Sequence, residues 1–202
     1  MIPFEDIKIF LPKYLSPNSE KNLFKGLKDF PENMDDRLYT SSRKEDDIIF
    51  QGDGFKELLV INFPAPDTKK APSMILSNTC DINPENKRFA ESNVCYAPIF
   101  KVKKYKKQLI EKGEEFEKVN NHIDAIMRQS ISEIFYLPKN NMLEEDSFVF
   151  FSKIISSPTK YMPKKDLKSV RIFTLSDYGL YLFLFKLSIH FTRIQEGVDR
   201  GN

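Results

Sequence analysis

Tryptophan is absent from this sequence, and glycine, cysteine and histidine are scarce, at 7, 2 and 2 residues in a chain of 202. Each shortage excludes something. Cys80 and Cys95 lack CxxC spacing and are joined only by His122 and His190, so a four-ligand zinc site would need carboxylate help. No structural metal or cofactor is expected, and the thiols should be reduced. Charge of one sign is lacking too: 31 basic residues stand against 29 acidic ones, a formal net charge of +2. That balance is too even for the strong field of a dedicated nucleic-acid binder, so any such contact must come from a local patch. The longest apolar run, Leu180 to Phe185, falls far short of the roughly 20 residues a membrane-spanning helix needs. The amino terminus, Met1-Ile-Pro-Phe-Glu-Asp, carries an acid where a secretory signal has basic residues, so a cytoplasmic chain starting at Met1 is expected. What the sequence has in quantity is aromatic. Its 18 Phe and 8 Tyr, within 41% apolar residues, supply more burial than a disordered chain contains.

No internal repeat or Gly/Ser-rich linker divides the chain, which reads as a single α+β domain over residues 1–202. An amino-terminal extension occupies 1–47 and a helical insertion 103–134. In the extension, Ile7 to Leu11 suits a short strand, and Asn18 to Leu27 a short helix capped by Ser16, Asn18 or Ser19. Pro31 to Asp47, dense in charge and small polar residues, reads as an exposed connection. The turn-forming Gln51-Gly52-Asp53-Gly54 precedes an apolar run, Leu58 to Phe63, of the kind that makes a buried strand; Pro64, Pro66 and Asp67 close it into a loop. Ser73 to Ser77 and Val94 to Ile99 are further strands. Short strands separated by turns at this spacing favour a small barrel over alternating βαβ units. Between Lys103 and Ile134 the period shifts to about 3.6. Leu109, Phe116, Val119, Ile123, Ile126 and Ile134 share one face, which predicts a helix or a helix pair broken at Gly113. Phe135 to Leu137, Ser147 to Phe151 and Val170 to Phe173 return to strand character. Ser176-Asp177 caps a last helix over 176–196, apolar enough between Tyr178 and Leu187 to need cover on more than one side, from the barrel or from a second subunit.

Gly52-Asp53 opens the first of these central strands. Ala71-Pro72-Ser73-Met74-Ile75-Leu76-Ser77-Asn78 sets a proline before an apolar strand ending in Ser-Asn. Val94 to Phe100 follows, then Asp146-Ser147-Phe148-Val149 with Lys153-Ile154, ahead of the terminal helix. In that order the segments resemble the PemK/MazF toxins of bacterial toxin–antitoxin systems, over residues 50–195 outside the insertion. The resemblance implies a small SH3-like β-barrel with helices, and a dimer. It also implies a chemistry: family ribonucleases hold an arginine before the proline and a threonine or serine at the end of the following strand, and cleave single-stranded RNA at a 2′-hydroxyl. The matching positions here are Ala71 and Phe100. Neither can manage the hydroxyl proton or stabilise a charged phosphorane, so no catalytic residue is expected at either. Lys70 is adjacent, but alternate residues of an extended chain point to opposite sides, and an ammonium does not replace a bidentate guanidinium at a phosphate.

Two strings remain as candidate partner- or RNA-binding sites, each with a structural alternative. In Leu76 to Asn83, Asn78 and Asp81 are hydrogen-bonding groups at the mouth of a groove and Cys80 a reactive thiol; alternatively the polar residues shape a turn and Cys80 is a small buried hydrophobe. Lys101, Lys103, Lys104, Lys106 and Lys107 surround Tyr105, an arrangement that combines phosphate neutralisation with a ring able to stack on a base. As an alternative it is a solvated strand end entering a helix, which an acidic partner or a later helix start would have to relieve. Lys164, Lys165, Lys168 and Arg171 read as a loop and strand face. His190, with Arg193, reads as a packing residue. His122, Glu114-Glu115 and Glu144-Glu145-Asp146 are assigned no catalysis.

The resemblance thus implies a non-catalytic binding module whose groove is kept for a protein partner: an antitoxin, a sigma factor or a protease. The chain looks similar to the MazF-like subunit of CRISPR-associated Lon-protease systems, which holds a sigma factor until the protease releases it. The alternative is a metal-independent endoribonuclease toxin acting on single-stranded RNA through substitutes such as Lys70, Arg88 or Arg171 with Ser77, Thr79 or Ser92.

Overall fold

The computed structural model describes residues 36–62, 64, 67–83, 85, 86, 89–163 and 166–192. The strand expected at Ile7 to Leu11, the helix at Asn18 to Leu27, Arg88, Lys164, Lys165, Arg193 and the last helix beyond Thr192 lie outside these residues.

Alternating buried and exposed positions build a mixed α+β fold around antiparallel strands. In chain order the strands are β1 (Tyr39–Thr40), β2 (Gly54–Asn62), β3 (Asp67–Ile75), β4 (Asn93–Lys101), β5 (Ile134–Leu137), β6 (Ser147–Phe150), β7 (Ile155–Pro158) and β8 (Arg171–Leu175). The helices are α1 (Thr79–Ile82), α2 (Val102–Glu111), α3 (Phe116–Met127), α4 (Leu167–Val170) and α5 (Asp177–Thr192). The strands join in the order β1-β8-β2-β3-β4-β6-β5, with β7 also on β4, and among the described residues the sheet is not closed. Tyr96 pairs with Ile75 of β3 on one edge of β4 and with Ile155 of β7 on the other. A 3₁₀ turn at Phe151–Lys153 separates β6 from β7, so both run along that second edge.

Burial follows the two sheet faces. Leu38, Tyr39, Met74, Phe135, Val149, Phe173 and Phe183 form one apolar cluster, which α5 covers. Phe55, Leu58, Ile75, Val94, Tyr96 and Leu167 form a second. The α2–α3 pair packs Val119, Ile123 and Ile126 on Ile134, Tyr136 and Phe148 in a third. Each such side chain stabilises the fold by about 1.5–3 kcal/mol. Helix α5 crosses the chain at Leu38 so closely that a Cβ on Gly179 would lie 2.1 Å from the Leu38 carbonyl oxygen.

The helix pair forms as its periodicity predicts, and its break falls at Gly113, whose φ of +88° suits glycine. The Ser176 hydroxyl accepts from the Gly179 N–H at 3.0 Å, the cap expected for the last helix. Three boundaries differ from expectation. Ile134 begins β5 rather than ending the helical face, because its side chain enters the same cluster from a strand. Asp67 begins β3 rather than closing a loop: Asp67 to Lys70, polar as they are, pair with Leu59 to Asn62 of β2. The exposed connection to Asp47 is interrupted by Leu38 and Tyr39, which are buried; the Tyr39 hydroxyl donates to the Pro138 carbonyl at 2.8 Å, and β1 pairs with β8.

Candidate functional site

Ala71 and Phe100, the two positions singled out by the resemblance, hold no reactive group. Ala71 is half-buried and pairs with Leu58 across the hairpin. The β3–β4 ladder runs from Ile75↔Tyr96 to Ser73↔Pro98, a register that would bring Ala71 opposite Phe100 if it continued. It stops at Ser73↔Pro98, and on its other edge β4 pairs Phe100 with Phe148 of β6. The Phe100 ring stacks on Phe148 at 5.8 Å and meets the edge of Phe150 at 5.5 Å. Lys70 takes the opposite face, 71% exposed, and pairs with Glu57 at 3.2 Å.

The other sequence-derived sites divide between turn-shaping groups and exposed side chains. Asn78 caps α1 by accepting from the Cys80 N–H at 2.9 Å, and Asn83 accepts from the Glu85 N–H at 3.0 Å, so both shape the turn. Asp81 lies in the first turn of α1 and is exposed. Cys80 is also exposed, which corrects its reading as a buried hydrophobe: α1 is a single turn and presents the thiol outward. In the basic run, Lys103 and Lys104 are exposed at the start of α2, and Lys101 before them pairs with Glu145, the acidic partner the helix start requires. Tyr105 is packed away: its ring meets Phe148 at 5.1 Å and its hydroxyl lies 3.2 Å from Nε2 of His122. The ring is half-buried by these contacts. His190 packs between Phe151 and Phe191. Asp146 accepts from the Tyr136 hydroxyl at 2.7 Å and from the Lys139 N–H at 3.0 Å.

A site missed in the sequence sits where β2 leaves β8. Arg171 is not on a solvated face: its side chain is 2% exposed and donates from Nε to Oδ2 of Asp53, itself fully buried, at 3.1 Å. Nη1 donates to the carbonyls of Arg43, Lys44 and Asp46, and Nη2 to that of Ile48, so one guanidinium gathers the loop before β2. Phe50 and Phe55 lie over it, each 5.9 Å from the guanidinium carbon. Asp53 Oδ2 also accepts from the Phe50 N–H at 3.0 Å. Burial pushes the Asp53 carboxyl up to about 6, against the pull of the Phe50 N–H, the Thr174 hydroxyl and Arg171. The signal for this pair was an arginine in an otherwise apolar strand, opposite a Gly-Asp-Gly turn.

A second buried cation holds the helical insertion. Lys186 of α5 donates from Nζ to the Gln129 carbonyl at 2.8 Å, to Gln129 Oε1 at 3.0 Å and to the Ile131 carbonyl at 2.8 Å. With no carboxylate in that set, burial lowers its ammonium to about 7. Gln129 completes the node by bridging both backbone groups of Tyr136. Among the described residues no group of three or more His, Cys, Asp or Glu is placed to hold a metal ion, and no helix is long and apolar enough to cross a membrane. No protein-family model matches the chain, and no curated protein matches it.

Proposed function

We propose that this chain is a non-catalytic binding module on a PemK/MazF-like, SH3-type barrel, and that it holds a protein partner in a prokaryotic stress or defence system. The partner is an antitoxin, a sigma factor or a protease, and the module works in the cytoplasm. One observation carries this reading. Among the described residues β2 pairs with β8 only at Gly54 and Phe55, and β3 pairs with β4 only from Ser73 to Ile75, so the rest of the hairpin has edges without a strand partner, apart from the Leu59 carbonyl, which accepts from the Tyr96 hydroxyl. Its outer face carries Leu59 and Ile61, 43% and 37% exposed. An extended segment can add to such an edge through backbone hydrogen bonds, while outward side chains select it. The antiparallel order, the Gly52-Asp53 entry into β2 and the terminal helix favour the barrel. Ala71 and Phe100 favour binding over cleavage. A homodimer through the exposed Phe185 and Phe191 of α5 belongs to the same reading.

Co-purification with each protein encoded beside its gene tests the proposal. One neighbour is expected to form a stable complex that Leu59→Asp with Ile61→Asp releases without unfolding the module. A long single-stranded RNA incubated with the protein in the absence of metal should stay intact. Sequence-selective cleavage that disappears on Lys70→Ala would overturn the proposal in favour of a ribonuclease.

A further inference from the structure

We infer that the cleft between β1, β8 and α4 binds a small phosphate-bearing anion. The cleft has a volume of about 260 Å³ and is lined by Thr40, Lys44, Lys56, Asn141, Lys168 and Thr174, with Arg171 in its wall. Every ionisable side chain among these is cationic. Lys168 already pairs with Glu45 at 2.5 Å, and Arg171 with Asp53, but Lys44 and Lys56 carry no ion pair among the described residues. Lys56 Nζ donates one hydrogen bond, to the Ser169 carbonyl at 2.7 Å, which leaves two of its three protons uncommitted. The Thr40 hydroxyl accepts from the Ser42 N–H at 3.2 Å and keeps its own proton to donate. Donors converge here without a lining carboxylate to receive them, and an oxyanion supplies that receiver.

Size selects among oxyanions. The volume lies just below the roughly 300–1,000 Å³ of ordinary ligand pockets, enough for a phosphate head with a small organic group and too little for a run of nucleotides. The cleft is also organised in advance. Arg171 fixes the loop bearing Lys44 by holding the carbonyls of residues 43, 44 and 46, so little ordering is left for the ligand to impose.

Calorimetric titration with inorganic phosphate, pyrophosphate and adenosine monophosphate tests this, alongside a single-stranded RNA. Saturable binding with one site per chain is expected, weakened by added salt. Lys44→Ala should weaken it about tenfold and Lys44→Ala with Lys56→Ala further, as the loss of charge-assisted hydrogen bonds implies. Both lysines are exposed, so the melting temperature should not move. Equal affinities for phosphate and the nucleotide would assign the cleft to phosphate itself, and tighter nucleotide binding to a phosphomonoester; either supports the inference. No binding of any of the three, binding unchanged in the double variant, or affinity that grows with RNA length would overturn it. None of these results bears on the partner complex, which is read at Leu59 and Ile61.

Discussion

Arg171 and Lys186 are both buried cations that tie a peripheral segment to the sheet, and their surroundings differ. Arg171 meets a buried carboxylate as well as the carbonyls of residues 43, 44, 46 and 48. Lys186 meets oxygens of Gln129 and Ile131 only. A guanidinium stays charged at any working pH and presents five donors in a fixed fork, so one residue can hold a loop of several carbonyls. An ammonium in a carbonyl cage has no compensating charge, and burial can drive it towards the neutral amine. The first arrangement fixes geometry regardless of pH, apart from its acid; the second makes the docking of α5 on the insertion depend on protonation.

Removing the guanidinium should have the largest effect. Arg171→Leu leaves Asp53 buried and unpaired and frees four carbonyls, so a loss of about 3–5 kcal/mol is expected in urea unfolding. Asp53→Asn keeps an oxygen for the Phe50 N–H and for Nε of Arg171, and should lose much less. In the double variant the losses should not add, because the two side chains share one interaction. Additive losses would break the description of Asp53 and Arg171 as a pair.

The two nodes should also respond to pH in opposite directions. The folded Asp53 carboxyl, at about 6, lies above its ordinary 3.8, so its contribution is present at the acid end and is lost as pH rises through 6. Lys186 is depressed from 10.5 to about 7, so unfolding takes up a proton between those values and stability should climb with pH across that window. Each limb is limited to about 1.4 kcal/mol per pH unit per group. Burial raises Tyr39 and Tyr136 above their ordinary value of 10.0, which turns the curve down again beyond pH 10, so the Lys186 limb is read below it. Urea midpoints across pH should lose the acid limb in Asp53→Asn and the alkaline limb in Lys186→Met. An alkaline limb that survives Lys186→Met would assign the titration elsewhere.

These nodes were the part of the molecule least legible in the sequence, and the reason is physical. Periodicity reports what a residue's own element does, and it located β4, the α2–α3 pair and the cap at Ser176. It cannot report a partner far along the chain. Arg171 follows Lys164, Lys165 and Lys168 and reads with them as a loop and strand face, whereas its acceptors come from residues 43–53. Lys186 sits in an apolar helix whose periodicity names no partner for it, and its cage lies 57 residues earlier. Strand β1, two residues long, is too short to show alternation. Candidate sites fared as local chemistry allows: Asn78 and Asn83 shape their turn, whereas the packing of Tyr105 against Phe148 depends on a strand that sequence spacing does not bring near.

Gln129 gives the smallest and sharpest test. It sits at φ +56°, a conformation that costs a non-glycine residue roughly 1–2 kcal/mol and that asparagine tolerates better. Its amide holds the N–H and the carbonyl of Tyr136 at 3.0 and 2.8 Å, and its Oε1 is one of three acceptors around Lys186. Gln129→Asn relieves the backbone but, one methylene shorter, cannot keep both Tyr136 bonds, each worth about 1 kcal/mol. The two terms oppose, and a net loss of about 1 kcal/mol at neutral pH is expected. The main-chain carbonyl of residue 129 remains, so Lys186 keeps two of its acceptors while the charged form loses one. Its amine should then be still easier to neutralise, extending the alkaline limb below pH 7 relative to the parent protein. A variant with that limb unchanged would mean that burial alone sets the proton on Lys186, and that Gln129 serves only the turn into β5.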